Sequence, residues 1–242
     1  MKKLFSLLLV APLFVFAQDK TVINVNRVFP KGDKIKQFEK ALATHVQKYH
    51  KGDWAWRVST IETGPDVGGY NIVEGPNTWE TLDKRGDISK EHQSDWNTNV
   101  QPLLTDRGSN AYATYRADLS TVQLTDYSDK ISVQHIFHKP GFGYSKQMEN
   151  LIKSMKKAWE GDGQSVAVYE STASGEPGWL IVTRYKTGLK EMAAGFRPAL
   201  EVSFAKANGG ESEWNKFVEG YKQAVNHQWS EMTFLKKNLS SK

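Results

Sequence analysis

The sequence predicts an α+β fold built from two βαββαβ repeats in one chain. Three observations predict it: short motifs recur in the same order about 110 residues apart, the segments carrying them alternate with period two, and helical apolar stripes lie between them. Val25-Asn26-Arg27-Val28-Phe29 aligns with Val133-Gln134-His135-Ile136-Phe137, and Gly69-Tyr70-Asn71-Ile72-Val73 with Gly178-Trp179-Leu180-Ile181-Val182. Ser94-Asp95-Trp96-Asn97 aligns with Ser212-Glu213-Trp214-Asn215, and Ala113-Thr114-Tyr115 with Met232-Thr233-Phe234. The spacing rises once, between Val182 and Ser212, which fits an insertion of about nine residues around 196–210.

In the first half an alternating strand is expected over 22–29. A helix follows over 34–49, where Ile35, Phe38, Leu42, Val46 and Tyr49 step by three or four and form one buried stripe. Lys51-Gly52-Asp53 ends it. Strands are expected over 54–63 and 70–74, around a turn marked by Gly64-Pro65 and Gly68-Gly69. Thr78 caps a helical region that runs to about residue 104, and a strand over 111–119 closes the half.

The second half repeats the order. A strand is expected over 131–137, and a helix over 144–159 with Met148, Leu151, Ile152, Met155 and Trp159 on one face. Strands over 165–171 and 179–185 flank Gly175-Glu176-Pro177-Gly178. Helical sequence spans 189–228 with a break at Asn208-Gly209-Gly210, and a last strand covers 229–235. The organisation read from this is a leader over 1–17, a first repeat over 18–120, a polar linker over 121–130 and a second repeat over 131–242.

That element order resembles the ferredoxin-like fold. Two such halves in one chain resemble the dimeric α/β-barrel superfamily in a fused, two-repeat form, over almost the whole chain after the leader. The resemblance implies a pseudo-dimeric α/β barrel, closed or nearly closed, with a small-molecule pocket. Members of that superfamily include cofactor-free monooxygenases, haem-binding and haem-degrading enzymes, ring isomerases and small stress proteins. The two repeats can pair within one chain or across a homodimer.

Composition narrows the class further. The chain has no cysteine, which excludes disulfides, thiolate metal sites and a catalytic thiol. Lys2 and Lys3, an apolar run from Leu4 to Phe16 and small residues at Val15 and Ala17 read as a signal peptide cleaved near Ala17, so the protein is expected to be periplasmic or secreted. Two of the 32 basic residues lie in that leader, which leaves a net charge of only about +3 and no basic block of the kind that binds nucleic acid. The apolar run of the leader is too short to span a bilayer.

Strand parity selects the candidate site. Val25, Arg27 and Phe29 share one face of their strand, and Val133, His135 and Phe137 share the matching face of theirs. An ionisable group thus recurs between apolar neighbours, so Arg27 and His135 are candidates for holding an anionic oxygen and for acid–base work. Trp56, Tyr70, Tyr115 and Trp179 are candidate aromatic walls, with packing in the core as the competing reading for each. No metal site is expected. His45 and His50 lie five apart at a helix end, His135 and His138 face opposite sides of a strand, and HExxH is absent. No cofactor is expected either; haem is the alternative, with His135 and His227 as axial candidates. These features favour an exported protein that binds a small apolar or aromatic molecule in a barrel pocket. The alternatives are a cofactor-free or haem-dependent oxygenase or isomerase, and a non-catalytic envelope module.

Overall fold

The computed structural model describes residues 20–86, 88–172 and 175–242, so the leader lies outside the described residues. Eight antiparallel strands form a closed barrel in the order β1-β3-β2-β8-β5-β7-β6-β4. They are β1 (Val22–Pro30), β2 (Trp56–Ile61), β3 (Tyr70–Asn77), β4 (Leu104–Tyr115), β5 (Lys130–His138), β6 (Val166–Thr172), β7 (Gly178–Arg184) and β8 (Val225–Leu235). The helices are α1 (Ile35–Tyr49), α2 (Trp79–Asp83), α3 (Lys90–Asp95), α4 (Tyr144–Gly161), α5 (Leu200–Asn208) and α6 (Glu211–Ala224).

Within each half the strand order is the same: β4-β1-β3-β2 and β8-β5-β7-β6. The halves join edge to edge through β2 with β8 and β4 with β6. Closure therefore takes place within one chain and leaves no free sheet edge.

Period-two alternation divides the apolar residues between two sides of the barrel wall. Even-numbered Val28, Val58, Tyr70 and Ile72 face outward onto Phe38, Leu42 and Val46 of α1. The outer faces of β5, β6 and β7 carry Ile136, Val166, Val168 and Ile181 onto Met148, Ile152 and Met155 of α4. The inner faces supply a third core from Ile23, Ala113, Val133, Ala167, Tyr169 and Val182. Burying Phe38 and Leu42 completely contributes roughly 1.5–3 kcal/mol each.

Several expected boundaries shift. Ile35 is exposed at the first residue of α1, and His45 takes a buried place on its stripe. The fourth strand begins at Leu104 rather than 111, because β4 pairs with β1 as far as Pro30. Its exposed stretch 105–110 is polar on both faces and hides the alternation. The expected helix over 189–228 ends at Ala224, and Val225 begins β8. His227 therefore sits in a strand opposite Phe137, not at a helix end. In the insertion, Phe196 is exposed, whereas Phe204 on α5 is buried against Trp214 and Phe217. Among the described residues no helix is long and apolar enough to cross a membrane.

Candidate functional site in the barrel lumen

The barrel encloses a cavity of about 300 Å³. Its middle is apolar, walled by Val25, Val73, Ala111, Val133, Leu180 and Val182. Each end carries a polar cluster built from the same inward parity positions.

At one end Arg27 reaches across the lumen from β1 to Glu231 on β8. Its guanidinium donates to both carboxylate oxygens, Nη1 to Oε2 at 2.9 Å and Nη2 to Oε1 at 2.5 Å. Nη1 also donates to Asp66 Oδ2 at 2.5 Å, and Arg107 holds the other Asp66 oxygen at 2.5 Å. Asp66 arrives on the β2–β3 turn, which seats against β8. A side chain at Gly64, where φ is +90°, would come within 2.7 Å of the Ser230 carbonyl. Two arginines thus face two carboxylates, and the fork of Arg27 is largely occupied. Arg27 thus lines the cavity and clamps Glu231 there.

His135 completes this end. Its Nε2 lies 3.1 Å from Glu231 Oε1, and its ring stacks on Trp229 at 3.7 Å and 11°. Burial lowers its pKa below the ordinary 6.5, against the opposing pull of Glu231. The ring is thus neutral near pH 7. A neutral imidazole that donates from Nε2 to a carboxylate keeps its lone pair on Nδ1. A buried carboxylate that fixes the tautomer of a histidine, and is itself fixed by an arginine, is the arrangement that orients a general base.

The opposite end is closed by the stretch between the halves. Arg184 donates to the backbone carbonyls of Gln123 at 2.8 Å, Leu124 at 3.1 Å and Asp126. Arg57 lies 4.0 Å over the Tyr127 ring. Burial raises the pKa of Tyr169, whose hydroxyl meets Arg184 Nη2 at 3.4 Å. Asn71 Oδ1, Thr233 Oγ1 and Ser128 Oγ belong to cavity-lining residues and are buried without a hydrogen-bond partner among the described residues. Buried polar atoms are normally satisfied, so these three suit a ligand or an ordered water.

Two of the four candidate aromatic residues fall on the outer side. Trp56 and Tyr70 face the helix layer. The Trp56 indole donates to Glu74 at 2.8 Å, and the Tyr70 hydroxyl donates to Glu39 at 2.9 Å. Trp179 lies on a strand that borders the cavity, but its ring is buried in the α4-side core. Tyr115 belongs to the inner core, and its hydroxyl donates to the Val122 carbonyl. Further aromatic residues on the cavity wall are Trp229, Phe137, Tyr127, Tyr169 and Tyr112. Glu231 and Asp66 are not among the residues that the sequence singles out, whereas Trp229 on the last strand is a further candidate aromatic wall. Glu231 shares parity with Trp229 and Thr233, so the rule that selected Arg27 reaches it too.

The haem candidates do not fit. His135 already engages Glu231 through Nε2, and His227 is exposed on the rim, stacked on Phe137 at 4.5 Å. A lumen of about 300 Å³ sits at the bottom of the roughly 300–1,000 Å³ range of small-molecule sites, and suits a compact ligand rather than a porphyrin. A trio of histidines also gathers outside the lumen. His45 and His50 are not a set by themselves, but the fold brings His92 of α3 against them.

No family model matches the chain, and no curated protein matches it by sequence. Solved structures share its fold. An anthrone oxidase-like protein is 14% identical with a TM-score of 0.55, over 90% of this chain and 92% of that one. A candidate monooxygenase from Fusobacterium nucleatum is 16% identical with a TM-score of 0.53, over 89% and 92%. Chlorite dismutase from Candidatus Nitrospira defluvii, in complex with imidazole, is 7% identical with a TM-score of 0.51, over 92% and 93%. At these identities the likeness is one of fold: the chain has the dimeric α/β-barrel architecture, with all eight strands in one polypeptide.

Proposed function

We propose that this protein is a cofactor-independent enzyme that deprotonates a compact, planar, weakly acidic aromatic molecule in its lumen. The observation that carries this reading is the His135–Glu231 bond at the edge of an apolar cavity. An apolar wall binds the ring system, while the Thr233 hydroxyl can donate to its oxygen. His135 takes a proton from an acidic ring C–H, and Glu231 stabilises the imidazolium that forms. The resulting anion is electron-rich enough to react with molecular oxygen. Net, a CH₂ group and O₂ give a carbonyl and water, and His135 returns the proton to the departing oxygen. The anthrone oxidase-like neighbour makes anthrone a sensible probe, since it contains this CH₂ group between two rings.

The shared strand order of the halves supports reading them as two ferredoxin-like repeats. The leader supports export. A pure binding role differs in one respect only, the absence of turnover. The test is a titration of tryptophan fluorescence with anthrone, followed by oxygen uptake. Binding with uptake that His135→Ala abolishes supports the enzyme. Binding without uptake supports a binding protein, and uptake that survives His135→Ala contradicts the role of His135.

A further inference from the structure

A second cluster of ionisable side chains lies outside the barrel, remote from the lumen and unused by its chemistry. His45 projects from α1, His50 follows the last residue of that helix, and His92 sits on α3. His45 and His50 are wholly buried and His92 nearly so. His50 Nε2 lies 3.3 Å from His45 Nε2 and 3.3 Å from His92 Nε2. One ring nitrogen from each histidine falls within 4.8 Å of the others.

The remaining contacts fix which nitrogens carry hydrogen. His50 Nδ1 faces the Trp54 carbonyl at 3.0 Å. A carbonyl only accepts, so Nδ1 is the protonated nitrogen and Nε2 of the neutral ring holds the lone pair. His45 Nδ1 faces Asp95 Oδ2 at 2.7 Å, which assigns its lone pair to Nε2 as well. Two lone pairs aimed at each other across 3.3 Å repel unless a cation or a proton stands between them. A proton there would make a buried charge in an aromatic box. Trp56 stacks on His50 at 3.4 Å, and Trp96 and Tyr49 pack on His45 at 5.3 Å and 5.1 Å.

We infer that His45, His50 and His92 form a binding site for a zinc ion, held through their converging Nε2 atoms. Zinc–nitrogen bonds of about 2.0–2.1 Å in tetrahedral geometry place neighbouring ligand nitrogens about 3.3–3.4 Å apart. The two 3.3 Å separations match that edge. The outward bonds to Asp95 and the Trp54 carbonyl orient the rings as metal-bound histidines require. Three imidazoles leave the fourth position to water. The ion would clip α3 to α1 and close the long connection between residues 50 and 92, a crosslink this cysteine-free chain otherwise lacks.

The test uses untagged protein, stripped with a chelator, dialysed and titrated with zinc chloride by calorimetry. The expected result is one equivalent bound, with a rise in melting temperature of roughly 5–10 °C at a hundredfold excess over Kd. Cobalt in place of zinc should give the visible absorption of a four-coordinate nitrogen site. His92→Ala should lose at least about a hundredfold in affinity while its far-ultraviolet circular dichroism stays that of the parent. No binding to the parent protein, or undiminished binding to folded His92→Ala, would overturn the assignment. The parent titration decides the matter even if the variant fails to fold.

Discussion

His135 and Glu231 meet 3.1 Å apart on the inner wall of the barrel, as diagonal neighbours on the paired strands β5 and β8. Arg27 reaches the same carboxylate from across the lumen, so three strands of two different halves converge on one buried oxygen pair. Removing Glu231 would strand Arg27 beside Asp66 in a nearly dry site. Glu231→Ala is expected to cost about 3–5 kcal/mol, whereas a paired apolar replacement, Arg27→Met with Glu231→Leu, should cost markedly less. Urea unfolding of the single and double variants measures both.

Acid should weaken the fold through His135. Its buried ring binds a proton less readily than the same ring in the unfolded chain, whose pKa is near 6.5. The unfolded state therefore takes up the proton first as pH falls, and stability declines below about pH 6.5 by at most about 1.4 kcal/mol per pH unit. The decline ends once the pH passes the lower, folded value. Urea midpoints of the parent and of His135→Asn, compared between about pH 5 and pH 8, should diverge on the acid side in that direction.

Filling the lumen should block ligand entry. Ala111 lines the cavity on β4, and Ala111→Phe places a ring in the space a ligand needs. Anthrone affinity is expected to fall at least about tenfold, with a change in stability of no more than about 1–3 kcal/mol. Tyr70→Phe is the control. It removes the bond to Glu39 on the helix side, should cost about 0.5–1.5 kcal/mol and should leave ligand affinity unchanged.

Arg184 should decide whether the far end stays closed. It supplies hydrogen bonds to the carbonyls of Gln123, Leu124 and Asp126, and Arg184→Met removes all three, leaving Gln123 only the Asp126 N–H and Asp126 only the Lys186 ammonium as donors. A loss of about 2–4 kcal/mol is expected, together with faster proteolysis within residues 120–129. Limited chymotrypsin digestion followed by mass spectrometry locates the cut, expected after Leu124 or Tyr127.

Much of this architecture can be read from alternation. The same parity that puts Arg27 with Val25, and His135 with Val133, puts all four in the lumen, and the stripes Phe38–Leu42–Val46 and Met148–Ile152–Met155 face the barrel as their spacing requires. Parity does not say which face becomes the inside. That depends on the β2–β8 and β4–β6 seams, which join residues far apart in the chain. For this reason Trp56 and Tyr70, equally aromatic, end on the outer side. Asp66 comes from a turn and His92 from a helix of six residues, neither of which has a periodic signal long enough to orient a side chain. The histidine cluster is a product of packing between α1 and α3, and its spacing along the chain matches no ligand pattern.

Hydrogen exchange in the ligand isolates the proton transfer assigned to His135. Anthrone incubated with the protein in oxygen-free deuterated buffer reports proton removal at the ring carbon opposite its carbonyl, with no contribution from later oxidation. The parent protein should accelerate loss of that proton signal by at least about a hundredfold, and His135→Ala should return it to the buffer rate. Equal exchange by the parent and His135→Ala would rule out His135 as the base.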